Sequence, residues 1–89
     1  MPLTTNQQNE IQSMVESSSP EQLKDLKEDA EFALRQLKRS LDHRLLSNIE
    51  MKQFEMAVEF LTRLETTQLG KGFWYRSKRR YQIAKMYLP

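Results

Sequence analysis

A chain of 89 residues holds one domain at most, and one of this size buries only about 60–65% of the surface its unfolded form exposes. There is no cysteine, which excludes disulfides and thiolate metal sites, and the 38% hydrophobic content lies below the globular average of about 45–50%. The net charge of +2 hides an asymmetry: residues 1–69 carry eight Lys/Arg against twelve Asp/Glu, whereas residues 70–89 carry six cations and no acid.

The N-terminus, Met1-Pro2-Leu3-Thr4-Thr5-Asn6-Gln7-Gln8, has neither the basic nor the apolar region of a signal peptide. No run approaches the ~20 consecutive apolar residues of a membrane span. A cytoplasmic protein without membrane contact is the expectation. Thr5-Asn6-Gln7-Gln8 reads as a Thr-x-x-Gln capping pattern and opens a short helix to about Glu16, with Ile11, Met14 and Val15 as its apolar stripe. Ser17-Ser18-Ser19 breaks it.

The second helix has the clearest start. Ser19 is the N-cap, Pro20 takes the first helical position and Gln22 the third. Leu23, Leu26, Ala30, Ala33, Leu34, Leu37, Leu41 and Leu45 then recur at three- and four-residue intervals, a stripe of roughly 120° that one neighbouring helix fills. Part of that stripe also fits the core positions of a coiled coil. Ser47-Asn48-Ile49-Glu50 is another capping box, so a turn falls near residues 46–48. The rival is one helix over residues 20–68, about 73 Å long, which only a coiled coil or a large assembly tolerates. A hairpin is the favoured reading.

The third helix, about 48–68, is apolar over a wide arc. Phe54, Ala57, Val58, Leu61 and Leu64 make one face, and Ile49, Met56 and Phe60 an adjoining one, together roughly 220°. It should be the centre of the fold. Leu69-Gly70-Lys71-Gly72 ends it with a C-terminal glycine. The last segment, Phe73 to Leu88, is drawn as a helix with Trp74, Tyr81, Ala84 and Leu88 on its docking side, which points Arg76, Arg79 and Arg80 outward.

Catalysis has little to work with. His43 is the single histidine and no cysteine accompanies it, so the usual dyads and triads cannot be built. Glu28, Asp29 and Glu31 read as a solvated helix face, and Gly70-x-Gly72 lacks the rest of a phosphate loop. No cofactor or metal is expected.

The basic aromatic tail is the sharpest feature, because cations neutralise phosphates while aromatic rings stack on unpaired bases. Lys71, Trp74, Tyr75, Arg76, Lys78, Arg79, Arg80 and Lys85 are the candidate contacts. The alternative packs this tail against the acidic body of the same molecule, with Glu55 and Glu59 or Glu28 and Glu31 facing it. A protein interface would use Phe32, Ile49, Met56 and Phe60, with an acidic protein or a second copy as partner. The expected fold is all-α and a single domain: residues 1–18 form a short helix and linker, 19–69 a helical hairpin and 70–89 a basic C-terminal helix. The expected function is non-enzymatic, regulatory or accessory: nucleic-acid binding first, a protein-binding adaptor or inhibitor second.

Overall fold

A computed structural model describes residues 3–89; Met1 and Pro2, part of the N-terminal segment considered above, lie outside them. The described residues form four helices: α1 (Thr5–Ser17), α2 (Pro20–Leu41), α3 (Asn48–Leu69) and α4 (Phe73–Met86). The fold is all-α, and none of these helices is long and apolar enough to cross a membrane.

Side-chain caps set the first three starts. At α2 the Gln22 amide donates to Ser19 Oγ (3.2 Å) and Ser19 N–H donates back to Gln22 Oε1 (2.9 Å). Ser47 and Glu50 repeat this box at α3, at 3.2 and 2.9 Å. At α1 the cap is Thr4 with Gln7, one residue earlier than the Thr5–Gln8 pair expected from the sequence. The shift places Leu3 at the N′ position, where it is buried.

The hairpin holds, although α2 stops at Leu41, well short of residue 46. Asp42, His43 and Arg44 turn their amides back onto Arg39 and Ser40, and the Arg44 guanidinium folds onto Glu50 with two 2.7 Å hydrogen bonds. This clamp, together with the Ser47 cap, holds Glu50 down to about 2. Leu45, an expected stripe residue, is left exposed in the connection.

At the far end of α3, Lys71 N–H donates to Thr66 O (2.9 Å) and Gly70 N–H to Thr67 O (3.2 Å), a Schellman pair. Gly70 sits in the left-handed region at φ 66°. A Cβ there meets nothing within 4 Å, so only the backbone resists substitution. Gly70→Ala is expected to lose about 1–2 kcal/mol in denaturant unfolding. Gly72, the N-cap of α4, has a φ of −99° and open space around it, so alanine there should cost only the N-cap preference for glycine, about 0.5–1 kcal/mol.

The wide apolar arc makes α3 the hub, packed against all three other helices. Pro20, Leu23 and Lys24 border Leu64 and Gln68, while Leu41 and Leu46 border Met51 and Phe54, so α2 runs antiparallel to α3. Gln8 lies by Phe54–Glu59 and Gln12 reaches Thr67, so α1 runs parallel to it. Arg79 meets Glu65 while Leu88 lies by Met51 and Phe54, so α4 is antiparallel. Leu34, Leu37, Phe54, Val58, Phe60, Leu61, Leu64, Ile11, Val15 and Ile83 make the core with Leu3. Thr62 and Thr66 are buried among them, their hydroxyls satisfied by the carbonyls of Val58 and Thr62 at 2.7 and 2.9 Å.

A candidate nucleic-acid interface on α4

The orientation of α4 inverts the one drawn from its aromatic residues. Trp74 is 83% exposed and Tyr81 67%, while Ile83 is buried with Ala84 and Tyr87 packed beside it. The docked residues, 76, 79, 80, 83, 84 and 87, recur at three- and four-residue spacing and form one face. Its C-terminal half docks through apolar contacts. Its N-terminal half docks through charge.

That charge centres on Glu59 of α3, whose side chain is 3% exposed. Arg63 Nε donates to it at 2.6 Å, and Arg80 of α4 donates through Nε and Nη2 at 2.7 and 2.8 Å. Burial pushes the Glu59 carboxyl up, but the hydrogen bonds from Arg80 and Arg63 outweigh it and hold the group below its ordinary value. Arg63 spends its remaining donors on α1, reaching Gln12 Oε1 at 3.1 Å and Gln8 Oε1 at 3.3 Å. The network therefore ties α1, α3 and α4 together. Beside it, Arg79 Nε donates to Glu65 at 2.6 Å, which raises the Arg79 guanidinium above its ordinary value.

Arg79 and Arg80 are thus turned inward onto acids of the same chain, where the sequence pattern aimed them at solvent. Of the four acids considered as facing the tail, Glu59 is the one that Arg80 meets; Glu65 was overlooked. Arg63 and Ile83 were overlooked as well. The sign was legible: Glu59 and Arg63 stand four residues apart inside the most apolar stretch of α3, where isolated charges need partners.

Opposite the docked face, Trp74, Lys78, Tyr81 and Lys85 fall within an arc of roughly 60° and span about 16 Å along the helix. All four are exposed. No acid interrupts them, because residues 70–89 contain none. Phe73 stacks edge-on against Trp74 at 5.3 Å between centroids. Lys85 Nζ lies 5.9 Å from the Tyr81 ring centroid, and Lys71 Nζ, just before the helix, 5.7 Å from that of Tyr75. The result is an alternation of flat rings and flexible ammonium groups on one side of a short helix.

The other sequence candidates scatter. Phe32 is exposed on α2, opposite the leucine stripe. Ile49 and Met56 are exposed on α3. Phe60, on the same side of α3, belongs to the core at 5% exposure, so it offers no interface. The protein surface expected from Ile49, Met56 and Phe60 together therefore loses its aromatic member. His43 is exposed in the α2–α3 connection. In comparisons with known proteins, the chain matches no family model, no curated protein and no solved structure.

Proposed function

We propose that the protein is a non-enzymatic, nucleic-acid-binding accessory protein that takes single strands on the outward face of α4. Trp74 and Tyr81 stack on unpaired bases, and Lys78 and Lys85, with Lys71 at the helix start, neutralise phosphates. The observation that carries this reading is the exposed Trp74-Lys78-Tyr81-Lys85 stripe, held outward by the arginine pairs behind it. Large rings normally go inside a small bundle; these two stay in water while Ile83 takes the core position. Stacking accepts any base, and ammonium groups on flexible stems track a mobile backbone, so the surface suits single strands without strong sequence preference. The phosphate contacts accordingly move from the arginines expected first to the lysines.

The test is fluorescence anisotropy with labelled single-stranded DNA and RNA across ~50–300 mM salt. Binding should weaken steeply with salt, and the Lys78→Ala/Lys85→Ala variant should flatten the log–log slope by about 1.4, or about 0.7 for each phosphate no longer neutralised. Absence of binding at low salt, or an unchanged slope in the variant, would refute the assignment.

A further inference from the structure

The Glu59 network carries more positive charge than it neutralises. Both carboxylate oxygens are engaged by Arg63 and Arg80, and Arg63 completes its hydrogen bonds on the neutral amides of Gln12 and Gln8. One turn before Arg80 on α4, Arg76 is half-buried, and its guanidinium makes no hydrogen bond or ion pair among the described residues. Burial, then repulsion from Arg63 and Arg80, lowers the Arg76 guanidinium from its ordinary value, and attraction to Glu59 works against them. Three guanidiniums thus gather about the Glu59 carboxylate, with Glu55 also lining the groove beside Arg80, so positive charge still exceeds negative. Arg63 and Glu59 are nearly inaccessible, whereas Arg80 keeps a third of its side chain in solvent. Arg76 and Arg80, four residues apart on one helical face, therefore hold the accessible edge of this cluster.

A half-buried cation that pairs with no acid among the described residues and feels two like charges gains when an anion docks beside it. An anion suits this excess of positive charge, and planar guanidinium forks suit the tetrahedral oxygens of a phosphate. We propose that Arg76 and Arg80, backed by the buried charge of Arg63, form a binding site for a phosphate group at the edge of the α3–α4 interface. It uses side chains on the docked side of α4 and stands independently of the stacking stripe. Its occupant is either a free phosphate or the terminal phosphate of a nucleic-acid strand.

The experiment follows thermal unfolding of the full chain and of Arg76→Gln in sodium phosphate and in sodium chloride at equal ionic strength. In chloride the variant should melt at or above the wild type, because the substitution relieves repulsion; a merely structural arginine would lower Tm. Phosphate should raise the wild-type Tm by several degrees over chloride, and Arg76→Gln should lose that rise. Any general salting effect of phosphate appears equally in both proteins and cancels in the comparison. Two further probes, one oligonucleotide with a 5′-phosphate and the same strand with a 5′-hydroxyl, identify the source. A tenfold preference for the phosphorylated strand that disappears in Arg76→Gln assigns a strand end; equal binding beside the Tm response assigns the free anion. Equal phosphate responses in wild type and variant, or a variant that melts lower in chloride, overturn the site. If neither oligonucleotide binds, the stacking reading fails while the phosphate arm still decides this one.

Discussion

Glu59→Ala is expected to destabilise the protein by about 3–5 kcal/mol, the cost of leaving buried cations without their counter-charge. A chain of 89 residues has roughly 4–13 kcal/mol of stability in total, so the variant should be marginally folded or unfolded at room temperature. The size of the effect comes from what remains. Arg63 stays at 8% side-chain exposure with only two glutamine oxygens to accept from it, while Arg80 can swing its third-exposed side chain into water. Adding Arg63→Met to Glu59→Ala should therefore recover part of the loss, since it removes the buried cation left without its counter-charge, although the space vacated by Glu59 remains. Denaturant unfolding of both variants checks this, and a double variant no more stable than the single one would count against it.

The same network sets the response to acid. The Glu59 carboxyl titrates below its ordinary value near 4.5, so its contribution is complete above that value and is lost as pH falls through the lower, folded-state value. Glu50, held down to about 2 by Arg44, behaves in the same sense, losing its contribution between about 4.5 and 2. A urea midpoint that falls steadily as pH drops below about 4.5, and falls less in Glu59→Gln, is the expected result.

Trp74→Ala and Tyr81→Ala should each weaken single-strand binding by about 1–3 kcal/mol, roughly 5- to 150-fold, and should leave stability almost unchanged. Both halves of that expectation rest on exposure: the two rings lie outside the core, so removing them opens no cavity. The contrast with Ile83 is diagnostic, because Ile83→Ala removes the buried anchor of α4 and should lower stability by about 2–5 kcal/mol. Anisotropy and thermal unfolding on the three variants separate the faces of the helix. A Trp74→Ala variant that binds normally but melts early would return the aromatic stripe to a structural role.

What the sequence determined by itself is local. Ser19-Pro20-x-Gln22, Ser47-x-x-Glu50 and Gly70 mark helix ends through hydrogen bonds and a backbone conformation reaching no further than a few residues, and the structure places all three helix ends there. The 220° arc of α3 likewise required a central helix, because no single neighbour covers so much apolar surface. The facing of α4 is different. Trp74, Tyr81, Ala84 and Leu88 form as plausible a stripe as Arg76, Arg80, Ile83 and Tyr87, and hydrophobicity alone prefers the aromatic one. Only the packed structure decides, by placing Glu59 at the joint of α1, α3 and α4 where it takes two arginines, and by burying Ile83 in the core. Burial of a charge is a property of the assembled bundle. It turned the arginines inward and the tryptophan to water.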